Sequence, residues 1–437
     1  MSRITTDIKS NIIVASQAPL PTGQDTQEFT NVNGGNIYSY NQYQYNASNF
    51  FPAYTVDLSS FSYFDNTSLK FAGGGVLAPN GNIYCIPFDA NYVAIINPYT
   101  KTVDTTSIRG LLGGRSSTGK WWGGVLAPNG KIYCVPYNSS NVLIINTTNN
   151  SVSYITDITL ANYPSLNTYN STFANEQKWI GGAIAPNGKI YCAPYFARCS
   201  LIIDTNNDTI NLTDIQQVDS SSYPNIIWRG LTENAECFGG AVLGTNGNIY
   251  FIPCNARGLL QVNPNNNTTN GSSYICPPPF NGTGNNFRFK YFGSGLGPDQ
   301  NIYIAPWYLG SQPVNQRYFL KIDVSKDVSN QQFTNVITDV PVNTAGSYHG
   351  VVCGLDGNLY AIPNNATNVA IINPVTSTAN LTTISGIPNI ANGYSGGVLG
   401  PDGVIYCIPR SAPTIMTIKT GYPNLQPWMM SPEFNKF

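Results

Sequence analysis

Short apolar runs recur along this chain, and polar turn residues separate them in a fixed order. In "GGVLAPNGKIYCVP" (residues 123–136) two apolar runs flank Pro-Asn-Gly. Proline presets φ for a turn and glycine takes its left-handed position, so this block predicts two strands joined by a hairpin. An apolar run, "NVLIIN" (residues 141–146), and a more polar run, "SVSYITDI" (residues 151–158), follow. The whole unit therefore predicts four antiparallel strands.

The unit occurs seven times, and its tyrosine repeats every 46 to 59 residues. These tyrosines are Tyr84, Tyr133, Tyr191, Tyr250, Tyr303, Tyr360 and Tyr406. Four-stranded repeats of this length without helical segments are typical of β-propellers. We therefore predict an all-β fold, a seven-bladed β-propeller of four-stranded antiparallel blades. The glycines that open most copies should lie where the innermost strands converge, since larger side chains would clash there.

Two local departures from the repeat predict how the ring closes and where a turn differs. The last unit lacks a fourth strand, and "AYTVDLSSF" (residues 53–61) resembles one, so residues 53–59 should pair with the strand near Ile415 and Ile418. The alternative is a degenerate eighth unit at "GGNIYSY" (residues 34–40). In the fifth hairpin Gln300 replaces the turn glycine, which predicts a left-handed Gln300 or a different turn.

The closure hypothesis divides the chain into three parts. Residues 1–52 form an N-terminal arm, residues 53–420 the propeller, and residues 421–437 a C-terminal tail.

Charge and hydropathy argue against nucleic acid and the membrane interior as partners. Charged residues make up 10% of the 437 residues, against about 25% in ordinary globular proteins, and the formal net charge is −1. Without a basic stripe, nucleic acid is not expected as a partner. No apolar run reaches the length of a transmembrane helix, and the start of the chain lacks the apolar core of a signal peptide, so we expect no membrane insertion.

Cysteine and histidine usage predicts neither a metal site nor a cofactor. The chain has nine cysteines and one histidine, and no Cys-x-x-Cys pair. Four cysteines occupy the same place in the repeat and should lie too far apart for disulfides: Cys85, Cys134, Cys192 and Cys407. We expect these thiols to be buried and reduced.

The "GGVLAPNGKIYC-x-P" unit and the "VLIIN" strand after it resemble a family of repeat proteins found in giant DNA viruses of amoebae, some protists and some bacteria. The resemblance covers about residues 53–420. More distantly, the units are similar to propellers of the NHL and virginiamycin B lyase types. The resemblance implies a propeller fold and a location in the virion or in the host cytoplasm, but no activity.

The long connections between blades should share one face with the loops between second and third strands, opposite the Pro-Asn-Gly hairpins. Long loops on a rigid scaffold are common binding sites, so we predict this loop face as the site. Aromatic residues recur just before or at the start of the first strands, where they could stack on a ligand or pack between blades. They are Trp121, Trp179, Tyr291, Tyr348 and Tyr394, with Trp122, Phe238 and Phe292 next in line. Positively charged residues of the loops and blade connections, with the only histidine, could bind an anion or be solvated: Arg198, Arg257, Arg410, Lys120, Lys178, Arg229, Lys290 and His349.

No group of acids and histidines converges as general acid–base or metal catalysis requires. We therefore predict a non-enzymatic structural or binding protein, a component of a viral particle or its surface that contacts proteins or glycans through the loop face. Two alternatives stay open: a lyase- or hydrolase-like propeller enzyme that uses the channel mouth, and a soluble glycan-binding module.

Overall fold

The chain folds into a ring of seven four-stranded antiparallel blades, which confirms the predicted fold. The computed structural model of the protein describes residues 3–7, 12–16, 55–58, 61, 64, 69–111, 113, 117–156, 158–159, 176–215, 237–256, 258–271, 291–307, 319–326, 334–337 and 347–420. Among these residues no helix occurs, and hence none long and apolar enough to cross a membrane. The segment proposed as an eighth unit and the C-terminal tail lie outside the described residues.

The strands follow the order predicted from the repeat. The first strands of blades 1 to 7 are Phe71–Leu77, Trp121–Leu126, Trp179–Ile184, Phe238–Leu243, Tyr291–Leu296, Tyr348–Cys353 and Tyr394–Leu399. The second strands are Ile83–Pro87, Lys131–Pro136, Lys189–Pro194, Ile249–Pro253, Ile302–Pro306, Leu359–Pro363 and Val404–Pro409. The third strands are Ala94–Asn97, Val142–Asn146, Leu201–Asp204, Leu260–Asn263, Phe319–Ile322, Asn368–Asn373 and Met416–Lys419. The fourth strands are Thr102–Asp104, Ser151–Ile155, Thr209–Asn211, Thr268–Gly271, Thr334–Ile337, Thr378–Ser385 and, for blade 7, Thr55–Asp57.

The ring closes through the N-terminal side of the chain, as predicted. Val56 pairs with Ile418 and Asp57 with Thr417, so the strand before blade 1 completes blade 7. The first strands contact one another all around the ring, including those of blades 7 and 1. Within the predicted N-terminal arm, Arg3–Asp7 and Ile12–Ser16 form an antiparallel pair.

A ring of glycines surrounds the axis. The third residue of each first strand is a glycine with positive φ, between +62° and +150°: Gly73, Gly123, Gly181, Gly240, Gly293, Gly350 and Gly396. A Cβ added to Gly73 would lie 2.4 Å from the Cα of Gly123 in the next blade. The pairing of first and second strands shifts register here in every blade, which marks a β-bulge. Backbone conformation therefore favours glycine at all seven positions, and at Gly73 the approach of the neighbouring blade requires it as well.

The repeated Asn and Tyr of the hairpins join neighbouring blades. Asn80 Nδ2 donates to the carbonyl oxygen of Thr147 in blade 2 at 2.8 Å, and the Tyr84 hydroxyl donates to Asn150 Oδ1 at 2.8 Å. In the same way the hairpin asparagines of blades 2 to 4 donate to carbonyl oxygens of the following blades: Asn129, Asn187 and Asn246. The hairpin motif is thus conserved between copies for a structural reason, because it holds blade to blade on the face opposite the loops.

Blade 7 uses a charged version of this contact to reach blade 1. Asp402 accepts a hydrogen bond from the Tyr406 hydroxyl at 2.8 Å, and Lys101 of blade 1 forms an ion pair with the same carboxylate at 2.6 Å. In the fifth hairpin Gln300 has φ of +64° and keeps the turn hydrogen bond to Gly297, so of the two predicted alternatives the left-handed one holds.

The four cysteines at the repeated position are buried and unpaired, as predicted. Burial raises the pKa of each thiol: Cys85, Cys134, Cys192 and Cys407.

Candidate functional site at the loop-face channel mouth

A backbone hydrogen-bond ladder fixes one residue of each blade around the loop-face opening of the channel. This mouth position directly follows the proline that ends each second strand. Tyr137 shows the pattern: its N–H donates to the carbonyl of Lys120 at 3.0 Å, and its carbonyl accepts from Lys178 of the next blade at 2.9 Å. The seven mouth residues are Phe88, Tyr137, Tyr195, Cys254, Trp307, Asn364 and Arg410. Five of the seven have backbone hydrogen bonds on both sides, and Cys254 and Trp307 have one on at least one side, so their side chains project from a rigid frame.

The β-bulges supply a second ring of side chains just below. A bulge re-aims the residue beside it, so the second residue of each first strand reaches the same region. These residues are Ala72, Trp122, Ile180, Gly239, Phe292, His349 and Ser395. We call the two rings together the channel mouth.

Aromatic rings fill one side of the channel mouth. Trp122 lies edge-on to Phe88 at 5.2 Å between ring centroids, and its centroid is 5.8 Å from that of His349. Phe292 packs against Trp307 at 5.0 Å and against His349 at 5.6 Å. Together with Tyr137 and Tyr195, the rings of Phe88, Trp122 and Phe292 belong to a separate apolar cluster, against which Trp307 packs.

Arg410 is held inside this aromatic cluster. Its guanidinium carbon lies 4.8 Å from the centroid of Trp122 and 5.5 Å from that of Phe88, within the range of cation–π contacts. Only 8% of the residue is exposed. Burial lowers the pKa of Arg410 to about 10, which leaves it charged at neutral pH.

His349 is also buried, with 3% of its surface exposed. Burial and, secondarily, the charge of Arg410 lower the pKa of His349 to about 3. The imidazole is therefore neutral at physiological pH, with one nitrogen able to donate and the other able to accept a hydrogen bond.

Five buried polar atoms in the described part of the chain have no hydrogen-bond partner, and all five belong to the channel mouth. They are Trp122 Nε1, His349 Nδ1, His349 Nε2, Asn364 Oδ1 and Arg410 Nε. A buried polar atom without a partner costs about 1–3 kcal/mol, so native proteins pair nearly all of them with protein, water or ligand. An axial cavity of about 10 Å³, lined by Trp122, His349 and several of the axial glycines, lies here and has room for about one water molecule.

Most of the predicted aromatics do not line the channel mouth. Trp121 and Trp179 are fully buried in blade cores, where each indole Nε1 donates to a backbone carbonyl at 2.8 Å. Three tyrosines also belong to blade cores: Tyr291, Tyr348 and Tyr394. Packing between strands and blades accounts for these residues, and the residue after each of them faces the channel mouth.

The predicted cations separate in the same way. Arg198 is exposed, and Arg257 lies outside the described residues. Lys120 and Lys178 are buried and donate to backbone carbonyls of the preceding blade, Lys178 to Ser139 at 2.8 Å. Burial lowers the pKa of Lys178 to about 7. Phe238 belongs to a blade core, and Arg229 and Lys290 lie outside the described residues. Of the predicted residues, Trp122, Phe292, His349 and Arg410 meet at the channel mouth.

Sequence reasoning missed most of the mouth residues. Phe88, Tyr137, Tyr195, Trp307 and Asn364 were not predicted, although the copies contain a signal. The residue after the repeated proline changes in chemical type between blades, whereas the tyrosine three residues before the proline is constant and the two residues between them stay apolar. A position that varies within an otherwise regular repeat is not needed to build the blades, so it is a candidate for a binding site. The described residues contain no group of three His, Cys, Asp or Glu side chains that could hold a metal ion.

Comparison with known proteins confirms the fold and no more. No protein-family model matches the chain, and no curated protein matches it. The structure of selenomethionine-substituted virginiamycin B lyase from Staphylococcus aureus superposes with a TM-score of 0.58 at 13% identity, over 84% of this chain and 99% of that one. A catalytically inactive histidine-to-alanine variant of that lyase with quinupristin gives a TM-score of 0.58 at 12% identity, over 84% and 99% of the two chains.

A bacterial extracellular domain has a similar fold. This domain, from a hybrid two-component system of B. thetaiotaomicron, gives a TM-score of 0.54 at 12% identity, over 85% of this chain and 40% of that one. Fold likeness at such identities does not carry an activity from one protein to another.

Proposed function

We propose that this protein is a non-enzymatic binding protein, a component of a viral particle or its surface, that contacts a protein or glycan partner through its loop face. The contact is centred on the channel mouth. One observation carries the proposal: the buried polar atoms without partners all lie there, on a rigid frame and among aromatic rings. Aromatic rings with a few placed polar groups are typical of ligand sites.

The composition of the chain supports a role in close contact with neighbours. Only 10% of its residues are charged, so few charges must lose water when a partner covers the surface. The hairpin face is already occupied by contacts between blades, such as Asn80 with Thr147. The loop face, with its long connections, is the face on which sequence can vary without disturbing the ring.

The alternative function is a propeller enzyme that uses the same channel mouth. His349 is the observation that favours it, because both ring nitrogens lack a partner and one can accept a proton. A pKa of about 3 makes this imidazole a weak base, which is far from the value near the working pH that suits a general base. Binding is therefore the better-supported function.

A glycan array probed with the full chain, followed by hydrogen–deuterium exchange with the bound glycan, tests the proposal. We expect slower exchange at the mouth segments around Tyr137, Tyr195 and Arg410 when a glycan binds. If no glycan binds, the protein's native assembly is imaged instead, and density against the loop face is expected. Protection or density confined to the hairpin face would refute the proposal. A mass change in the bound glycan would favour the enzyme.

A further inference from the structure

We propose that the channel mouth recognises a carboxylate group, which is bound by Arg410, Trp122 and His349. This inference rests on the proposed function and specifies the chemistry of its ligand. The carboxylate accepts hydrogen bonds from Arg410 Nε, from Trp122 Nε1 and from the N–H of the neutral His349 ring, which all lack partners. Because the cavity beside Trp122 and His349 has room for about one water molecule, one carboxylate oxygen takes the place of that water and the rest of the ligand lies outside the cavity.

The hydrogen-bond donors without partners at the channel mouth favour an anionic ligand. Arg410 Nε and Trp122 Nε1 can only donate, so they suit an acceptor and cannot serve a cation. The guanidinium stacks on Trp122, and Trp122 is 5.8 Å from His349 between ring centroids, so the three donors belong to one packed group. Because aromatic contacts already fix Arg410, binding immobilises little additional side chain.

Charge at this part of the channel mouth is positive. None of the described carboxylates forms an ion pair with Arg410. The carboxylate that acts on Arg410 from a distance is Asp89, which accepts a hydrogen bond from the Gly119 N–H at 2.6 Å and also acts on Lys120. Arg410 is the charged side chain of the two mouth rings, since His349 is neutral. A monoanion balances this single charge, whereas a phosphate dianion would leave a net negative charge in a largely buried site.

Asn364 adds a requirement on the ligand: a hydrogen-bond donor near its carboxylate. Its Nδ2 donates to the carbonyl of Tyr394 at 2.7 Å, which fixes the amide and leaves Oδ1 as a free acceptor. A ligand that fits all four residues therefore carries a hydroxyl or N–H group near its carboxylate. Sugar acids of glycans and the C-terminal carboxylate of a peptide both have this arrangement.

Matched pairs of small molecules test the inference by isothermal titration calorimetry. One pair is glucuronate with glucose, and the other is N-acetylphenylalanine with its amide. We expect the carboxylate member of at least one pair to bind about tenfold or more tightly than its neutral partner, since hydrogen bonds to a charged group are the stronger ones. The pair that shows this difference identifies the source, a sugar acid or a chain terminus.

Variants test whether Arg410 is responsible for the preference for a carboxylate. Arg410→Gln should abolish the preference for the carboxylate, and Arg410→Lys should restore only part of it, because lysine keeps the charge but loses the planar donor. Arg198→Gln is the control, since it removes the same charge from an exposed residue. Thermal melting of each variant shows whether the ring remains folded.

Three results would overturn the inference. They are equal affinity for the charged and neutral members, an Arg410→Gln variant that melts normally and keeps the preference, and a crystal structure at saturating glucuronate and N-acetylphenylalanine with only water on the four residues. If a neutral ligand nevertheless protects the channel mouth from exchange, the proposed function stands without its carboxylate. If protection is confined to the hairpin face, the proposed function itself fails.

Discussion

Replacing Gly73 by alanine tests whether the glycine ring is set by contact between blades as well as by backbone conformation. Gly73 has φ of +80°, and an added Cβ would lie 2.4 Å from both Cα and N of Gly123. The left-handed conformation of alanine costs about 1–2 kcal/mol. Relieving the overlap must move the backbone of blade 2, and overpacking of this kind costs a further 1–3 kcal/mol, roughly. We therefore expect Gly73→Ala to lower the free energy of unfolding by about 2–5 kcal/mol.

Gly130→Ala is the matched control. Gly130 has φ of +76° but no heavy atom within 4 Å of an added Cβ, so only the conformational cost of about 1–2 kcal/mol applies. Urea denaturation followed by tryptophan fluorescence and by circular dichroism measures both variants, with coincident transitions as the condition for a two-state analysis. Equal losses in the two variants would refute the argument from contact between blades.

A milder substitution keeps the test usable if Gly73→Ala does not fold. Gly396 occupies the same ring position in blade 7, has the same φ of +76° as Gly130, and its added Cβ would lie 2.9 Å from the Cα of Gly74. Gly396→Ala should therefore cost more than Gly130→Ala but less than Gly73→Ala, because the overlap is smaller. A loss equal to that of Gly130→Ala would contradict the argument from contact between blades.

Three further predictions concern closure, the thiols and acid stability. Deleting residues 1–60 removes the strand Thr55–Asp57 and exposes the edge of Met416–Lys419. This truncated protein should melt at a much lower temperature than one that lacks residues 1–50. Equal melting temperatures would argue against closure by this strand. Cys85, Cys134, Cys192 and Cys407 should resist a thiol reagent in the native protein and react in urea, whereas rapid native modification would contradict their burial. Folding lowers the pKa of His349 from 6.5 to about 3. Between these two pH values the unfolded chain binds a proton at this residue and the folded chain does not, so the free energy of unfolding falls as the pH drops from 6.5 toward 3. Between pH 7 and pH 4 the wild type should lose about 3 kcal/mol more than His349→Phe, and parallel pH profiles would show that the histidine is not buried in its neutral form.

The repeat by itself determined the architecture. Its tyrosine spacing and hairpin turns predicted seven blades, and the missing fourth strand of the last unit predicted closure by Thr55–Asp57. Such features are local, because turn chemistry and strand alternation depend on neighbours in sequence. The left-handed conformation at Gln300 followed from its position in the hairpin in the same way.

The channel mouth was decided by tertiary structure. The sequence does not distinguish Trp121 from Trp122, but the β-bulge directs Trp122 to the axis and leaves Trp121 in the blade core. The sequence leaves open whether Arg410 binds an anion or is solvated, and the closed ring places it between Trp122 and Phe88. The side chains that contact one another at the channel mouth come from residues up to hundreds of positions apart in sequence. Periodicity within one blade therefore carries no information about which side chains meet on the axis, and only the closed ring brings them together.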